Sequence, residues 1–137
     1  METKLDDLLR RAAARLRVAV ERRLSDLDLT AAQFAVLAVI ASAEGVSAAE
    51  VARTENLTAP TISVIIGNLE RRGLVRRRPH PENARIQQLE TTELGLKRFE
   101  AASACVDKVR RRIVGGAQGE DLQVVARWLA HAAELDI

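Results

Sequence analysis

The sequence predicts a mainly α-helical protein with one small β-hairpin. Its 137 residues are 47% hydrophobic but only 2% aromatic, so aliphatic side chains and alanine must form the core. Such a composition is typical of helices. Three helix-start patterns follow one another between residues 29 and 62, and an arginine-rich segment broken by two prolines comes after them. Prolines in that position favour strands and a turn over a further helix.

The N-terminal segment predicts a long helix over about residues 4–24. Its apolar residues recur every three or four positions and therefore share one helical face: Leu5, Leu8, Leu9, Ala12, Leu16, Ala19 and Val20. The segment lacks the apolar centre of a signal peptide, and no apolar run is long enough to cross a bilayer. We therefore expect a cytoplasmic protein without membrane contact.

Three successive segments carry the same helix-start pattern, a Ser or Thr N-cap with a polar partner three residues later. The pairs are Thr30 with Gln33, Ser47 with Glu50, and Thr58 with Thr61. Apolar residues on both sides of each pair can clamp the start of the helix. The pattern predicts short helices over about residues 30–42, 47–54 and 58–72. Only "TENL" separates the last two, so they form a helix-turn-helix.

The third of these helices is followed by a predicted hairpin. Ile62, Ile65, Ile66 and Leu69 give the helix one apolar stripe, and Gly73 stands where a left-handed C-cap is wanted. The segments "LVRRR" and "RIQQLE" then predict two short strands, joined by a turn in "PHPEN". A helix-turn-helix followed by a β-hairpin is a winged helix-turn-helix.

The C-terminal part of the chain predicts two further helices. From Thr92 onward, apolar residues repeat close to a heptad: Phe99, Ala102, Val106, Val109 and Ile113. The segment "GGAQG" ends this helix, and a last helix over about residues 120–135 presents Leu122, Val125, Leu129 and Ala132. These apolar stripes predict either a dimer interface or packing within the chain.

The arginine-rich segment concentrates positive charge in a chain whose formal net charge is only +2. Residues 71–85 hold six arginines against one acid, Glu82, which gives a local charge of +5 and leaves −3 for the remainder. A concentrated basic patch on a balanced protein indicates a polyanionic partner. The alternative is a solvated charged face.

These elements, in this order, resemble the MarR family of bacterial transcriptional regulators over essentially the whole chain. "LTAAQFAVLAVIA" resembles the family's second helix, and "SAAEVARTENLTAPTISVIIGNLERRGLVRRR" resembles its helix-turn-helix and first wing strand. "HPENARIQQLETTELG" resembles the wing motif D-P-x-D-x-R followed by L-T-x-x-G. In that match Arg85 takes the place of the wing arginine, Thr92 that of the threonine and Gly95 that of the glycine.

Three positions depart from the family pattern. Asn83 stands where the family has an aspartate that braces the wing arginine, and a neutral amide keeps the hydrogen-bond acceptor but loses the charge. Thr91 replaces a leucine, and Val64 stands where an arginine often lies in the recognition helix. The departures bear on the wing and on DNA contacts rather than on the fold.

The resemblance implies a function and an arrangement of the chain. It implies one domain over residues 1–137, with dimerisation helices at about 1–25 and 92–137 and a DNA-binding lobe at about 30–91. It implies a homodimer that binds a palindromic operator in double-stranded DNA as a ligand-responsive repressor. The expected DNA-binding residues are Thr58, Ala59, Pro60, Thr61, Ser63, Val64, Asn68, Arg71, Arg72, Arg76, Arg77, Arg78, His80, Asn83 and Arg85.

Different parts of this set have different expected roles. The residues from Thr58 to Asn68 would read base edges in the major groove. The arginines from Arg71 to Arg78 would contact phosphates, which adds affinity without sequence information. Arg85 would enter the neighbouring minor groove.

The sequence leaves the effector site unassigned. The family binds small, often phenolic anions, but this chain has no tyrosine. Arg15 or Arg22 could meet a carboxylate, and the alternative for each is a plain surface arginine. Cys105, the single cysteine, is expected to be a buried, inert thiol rather than a redox sensor.

Catalytic chemistry is not predicted. His80 and His131 belong to no recognisable metal spacing, and no nucleophile–base set or phosphate-binding glycine loop is present. We therefore expect no metal, no cofactor and no enzymatic activity. The rival hypothesis is a winged-helix protein-interaction module that has lost DNA binding, and the local charge of +5 argues against it.

Overall fold

A computed structural model describes residues 4–137 and confirms the predicted fold class, mainly α with a β-hairpin wing. The elements are α1 (Leu5–Ser25), α2 (Ala31–Ser42), α3 (Ala48–Glu55), α4 (Ala59–Arg71), β1 (Val75–Pro79), β2 (Gln87–Thr91), α5 (Glu93–Val114) and α6 (Gly119–Ala133). Their bounds lie within about two residues of those predicted, which is ordinary fraying of helix and strand ends. Residues 1–3 of the expected N-terminal dimerisation segment lie outside the described residues.

Helix α2 forms the centre of the core. It packs against α1, α3, α4, α5 and β2, and Val36, Leu37 and Ile40 are fully buried. A helix that touches neighbours on most sides must be apolar all round, and residues 34–41, "FAVLAVIA", are. The rings of Phe34 on α2 and Phe99 on α5 stack with centroids 5.9 Å apart.

The three helix starts form as the sequence predicts. The Thr30 hydroxyl accepts from the Gln33 N–H at 3.1 Å, and the Gln33 side chain accepts from the Thr30 N–H at 3.0 Å, which completes a capping box. The hydroxyls of Ser47 and Thr58 likewise accept from the backbone N–H three residues on. These caps satisfy amides that the helices leave without an internal partner.

Helix α4 ends where Gly73 predicts. Gly73 has a φ of +71°, a conformation open to glycine, and its N–H donates to the Glu70 carbonyl at 2.9 Å. The Leu74 N–H donates to the Leu69 carbonyl at 2.9 Å, which completes a Schellman motif. The chain therefore leaves the helix sharply, and only three residues separate the end of α4 from the start of β1.

Thr92 and Gly95 join the end of the wing to the end of α4. The Thr92 hydroxyl donates to the Gly73 carbonyl at 2.5 Å and accepts from the Gly95 N–H at 3.0 Å. The start of α5 then lies so close to Leu74 that a β-carbon on Gly95 would be 1.8 Å from the Leu74 carbonyl oxygen. No side chain fits there, so the glycine of the T-x-x-G pattern has a steric origin, while its threonine acts through hydrogen bonds.

The base of the wing has a contact that the sequence did not predict. Strands β1 and β2 pair antiparallel, with Arg76 opposite Glu90 and Arg77 opposite Leu89. Val46, the apolar residue just before the Ser47 N-cap, forms a bridge to Leu89, whose N–H donates to the Val46 carbonyl at 2.8 Å. The hairpin is thus anchored to the α2–α3 loop as well as to α4.

The terminal helices divide into a packed part and an exposed part. Ala102, Val106 and Val109 of the predicted heptad stripe are buried within the chain, so this part of α5 belongs to the core rather than to a free interface. Ile113 at the end of α5 remains exposed. Helix α6 has no buried residue, and its Trp128 is 45% exposed.

Candidate nucleic-acid interface

The N-terminal half of α4 presents an exposed mixed surface. Its exposed residues are Thr58, Ala59, Pro60, Thr61, Ser63 and Val64. The hydroxyls of Thr58 and Thr61 lie 2.8 Å apart, and Val64 is 71% exposed although it is a large apolar residue. Opposite them, Ile62, Ile66 and Leu69 are buried against the core, which holds the exposed face in place.

Asn68 lies differently from its expected place on the exposed face. It is half-buried, and its Oδ1 accepts from Gln33 Nε2 at 3.1 Å. The side chain therefore turns toward the start of α2, one turn beyond the exposed hydroxyls. This corrects the sequence-based placement, which had no means of knowing that Gln33 lies opposite.

Arg71 and Arg72 are neighbours in sequence but have different surroundings. Arg71 is exposed, whereas the Arg72 side chain is only 23% exposed. Arg72 Nη2 donates to the Asp28 carbonyl at 2.6 Å and lies 3.6 Å from the Asp28 carboxylate. The guanidinium of Arg72, expected to meet phosphate, is thus engaged within the chain.

The three arginines of β1 are paired with two glutamates. Arg76 and Arg78 both contact Glu90, whose side chain is only 8% exposed, and Arg78 Nη1 lies 3.3 Å from Glu90 Oε2. Arg77 lies on the other face of the hairpin, and its Nε donates to Glu70 Oε1 at 2.7 Å. A buried carboxylate requires such partners, because an unpaired charge away from water is costly.

These pairings lower the charge of the basic patch. Glu70 and Glu90 stand just outside residues 71–85, and counting them reduces the local charge from +5 to +3. The patch remains positive, but four of its six arginines, Arg72, Arg76, Arg77 and Arg78, already have an anionic partner. The remaining two, Arg71 and Arg85, are exposed.

Hydrogen bonds to the backbone shape the tip of the wing. Asn83 Oδ1 accepts from the Arg85 N–H at 3.1 Å, and the Asn83 carbonyl accepts from the Ile86 N–H at 3.0 Å. His80 Nδ1 accepts from the Glu82 N–H at 3.0 Å, so the His80 side chain also stabilises the turn. Asn83 therefore braces the backbone that carries Arg85.

Two grooves flank the terminal helices. A crevice of about 420 Å³ lies among α1, α2 and α5, with apolar walls that include Leu16, Phe34 and Val106. A second groove of about 490 Å³ between α1 and α5 has an aliphatic floor and five cationic side chains: Arg15, Arg22, Arg23, Lys108 and Arg112. Sequence reasoning singled out Arg15 and Arg22 but could not foresee that α5 adds Lys108 and Arg112 to them.

Other chemistry is sparse in the described part of the chain. Among residues 4–137, no group of three or more His, Cys, Asp and Glu side chains could hold a metal ion. No helix in that range has the length and apolarity needed to span a bilayer. Cys105, expected to be buried, is half-buried on α5.

A recognition helix with an exposed face, followed by a braced hairpin with an exposed arginine at its tip, defines a winged-helix protein of the DNA-binding type. The MarR family pattern matches residues 27–86. The chain is 32% identical over 123 residues to the HTH-type transcriptional repressor Rv2887 of Mycobacterium tuberculosis, covering 87% of this chain and 88% of that protein. This protein belongs to the MarR family of transcriptional regulators.

Solved structures show the same architecture. CouR of Rhodococcus jostii RHA1, bound to p-coumaroyl-CoA, superposes with a TM-score of 0.88 at 29% identity, over 98% of this chain and 94% of that one. Staphylococcus aureus MepR, solved as a DNA complex, superposes with a TM-score of 0.86 at 23% identity, over 98% of this chain and 100% of that one. The likeness to MepR shows the fold alone.

Proposed function

We propose that this protein is a homodimeric repressor that binds a palindromic operator in double-stranded DNA and acts in the cytoplasm. The observation that carries the proposal is the exposed face of α4 from Thr58 to Val64, flanked along the chain by the exposed Arg71 and Arg85. Membership of a family of transcriptional regulators, and the repressor name of Rv2887, support the same conclusion.

The α4 surface suits the major groove. The hydroxyls of Thr58, Thr61 and Ser63 can donate to and accept from base edges, and the Val64 side chain can contact a thymine methyl. Arg85 at the wing tip suits a narrow minor groove, whose negative potential attracts a guanidinium. Arg71 is free to contact a phosphate. Arg76, Arg77 and Arg78 are each paired with a glutamate, so they should contribute less affinity for the DNA backbone.

The exposed surface favours a dimer built on the terminal helices. The chain exposes 10020 Å², whereas a compact monomer of this size exposes about 7000 Å². Large apolar side chains are exposed on α1 and α6, at Leu5, Leu8, Val18, Val124, Val125, Trp128 and Leu129. A second copy of the chain that covers these helices would remove this exposure and place two recognition helices on one operator.

We further infer that the effector is an amphipathic anion. The apolar crevice can hold a hydrophobic body, and the cationic groove, which shares Leu16 with the crevice, can hold negative charge. The p-coumaroyl-CoA bound to CouR is a ligand of this kind. Thermal unfolding of the wild type and of Arg15→Gln, each with p-coumaroyl-CoA, p-coumarate or coenzyme A, would test this. We expect p-coumaroyl-CoA to raise the melting temperature of the wild type more than p-coumarate or coenzyme A does. Arg15→Gln should reduce that rise, because Arg15 lines the cationic groove.

A selection experiment tests DNA binding. A pool of random duplexes is enriched on the protein at moderate salt, and the recovered sequence is assayed by anisotropy and footprinting. We expect an inverted repeat whose half-sites lie about one helical turn apart, roughly 34 Å. Failure to enrich any sequence, together with weak retention on heparin, would favour the protein-interaction module instead.

A further inference from the structure

The loop between α1 and α2 is held by two arginines from different helices. From α4, Arg72 Nη2 donates to the Asp28 carbonyl at 2.6 Å. From α5, Arg98 Nη1 donates to the Leu27 carbonyl at 2.9 Å. The two carbonyls belong to adjacent residues, so the loop stands between the recognition helix and a terminal helix.

The loop has a defined conformation that these contacts stabilise. Asp28 has a φ of +55°, which is uncommon for a residue with a side chain, and its N–H donates to the Ser25 carbonyl at 3.0 Å. The Leu29 N–H donates to the Leu24 carbonyl at 3.2 Å, which closes the end of α1. The guanidinium groups of Arg72 and Arg98 therefore bind a tight, locally strained turn rather than a flexible segment.

Arg72 also links this loop to the start of α2. Its Nη1 lies 3.5 Å from Asn68 Oδ1, and the same oxygen accepts from Gln33 Nε2 at 3.1 Å. Gln33 in turn closes the capping box with Thr30, the residue after Leu29. The C-terminal end of α4 is thus attached to the middle of the connection between α1 and α2, at Asp28, and to the start of α2, through Gln33.

We propose that Arg72 is a positioning residue that sets the angle of the recognition helix relative to the terminal helices, with Arg98 as its counterpart on α5. The inference rests on the proposed DNA-binding function. In a dimer, the distance between the two recognition helices depends on the orientation of each α4 relative to the helices that form the dimer interface. Arg72 and Arg98 fix that orientation because both bind the loop between α1 and α2. Loss of either arginine therefore allows the orientation of α4 to change.

This role differs from that of a phosphate ligand. A phosphate ligand adds the same affinity to every duplex and releases a counterion, so its removal lowers the slope of log affinity against log salt by about one. A positioning residue releases no counterion. Its removal weakens binding only where both half-sites must be met at a fixed spacing.

The experiment compares Arg72→Gln with Arg71→Gln, a matched control one residue away whose guanidinium is exposed. Anisotropy is measured from 50 to 200 mM salt on the selected operator and on a duplex of unrelated sequence, at a temperature where circular dichroism shows each variant folded. Arg72→Lys, Arg98→Gln and the double variant Arg72→Gln/Arg98→Gln are included.

For Arg72→Gln we expect an operator affinity about tenfold lower, with the salt slope and the affinity for unrelated DNA unchanged. Arg72→Lys should behave in the same way, because an ammonium keeps the charge but not the guanidinium fork. The double variant should bind the operator no more weakly than the weaker of the two single variants, because both substitutions disrupt the same connection between α4 and α5. For Arg71→Gln we expect equal weakening on both duplexes and a slope lower by about one.

Three results would overturn the role of Arg72 and leave the proposed function intact. They are a salt slope lowered by about one in Arg72→Gln, wild-type operator affinity in Arg72→Lys, or additive losses of operator affinity in the double variant. Wild-type affinity in the folded Arg72→Gln variant would show that Arg72 serves stability only. A wild-type protein that binds no duplex would overturn the proposed function, and this inference with it.

Discussion

The buried carboxylate of Glu90 lies between Arg76 and Arg78, and pairs with both guanidinium groups across the hairpin. The contact has two consequences for the wing. It gives the strands a fixed cross-strand pairing, and it neutralises part of the charge that a DNA backbone would otherwise meet.

Replacing this carboxylate should therefore strengthen non-specific binding. In Glu90→Gln, Arg76 and Arg78 lose their anionic partner and become available to phosphates. We expect tighter binding to unrelated duplexes and a salt slope steeper by about one to two. Glu82→Gln is the control, because it removes one charge from the exposed wing tip without releasing an arginine. Equal effects of the two variants would show that only the net charge of the wing matters.

Gly95 should be intolerant of any side chain. A β-carbon there would overlap the Leu74 carbonyl, so Gly95→Ala must push the start of α5 away from the end of α4. We expect a loss of about 2 kcal/mol or more in the free energy of unfolding, measured by urea denaturation. Gly116→Ala is the control, because a β-carbon at Gly116 meets nothing within 4 Å. A mild effect at Gly95 would mean that the wing and α5 separate easily.

Arg85→Ala should weaken operator binding by about 1–3 kcal/mol, because a guanidinium that can enter the minor groove is lost. Anisotropy on one operator duplex compares the variant with the wild type. Arg53→Ala, another exposed arginine located on α3, controls for the loss of one positive charge. Unchanged affinity in Arg85→Ala would remove the wing tip from the DNA interface.

Asn83→Asp should leave affinity equal or improved. The oxygen that accepts from the Arg85 N–H is present in both residues, so the brace is retained. Asn83→Ala removes that acceptor and should weaken binding by loosening the tip. If Asn83 instead approached DNA itself, the added negative charge of Asn83→Asp would repel phosphate, and a titration at fixed salt would show clear weakening.

Truncation after Gly116 should abolish the dimer. It removes Leu122, Val125, Trp128 and Leu129 together, whose burial in an interface would contribute several kcal/mol at about 25 cal/mol per Å². Light scattering should show a monomer or an aggregate, and operator affinity should fall steeply because two half-site readers are no longer linked. A full-length protein that is monomeric at micromolar concentration would contradict this architecture.

Local sequence patterns predicted the helix starts, the end of α4 and the hairpin. Thr30, Gly73 and the prolines act on backbone within a few residues of themselves, so their effects are visible in the sequence. The contacts of Arg72 with Asp28 and of Asn68 with Gln33 join residues 44 and 35 positions apart. Side-chain type alone does not specify such partners, because any nearby acceptor would satisfy the same donor.

The same limit affected the arginine patch. Counting charge along residues 71–85 misses Glu70 and Glu90, since strand pairing and not sequence proximity brings Glu90 opposite Arg76. The resemblance to a family singled out Gly95, but the physical reason for a glycine there required the backbone of Leu74. The roles of the DNA-binding residues themselves stay predictions.

The lack of any buried residue on α6 within one chain has a thermodynamic consequence. A helix with little tertiary packing gains little from its own propensity, and isolated helices of about 15 residues are marginal in water. If a second copy supplies the missing contacts, folding of α6 and association become one equilibrium, and the melting temperature must rise with protein concentration. Dilution below the dissociation constant of such a dimer would then separate the two copies and unwind α6 together.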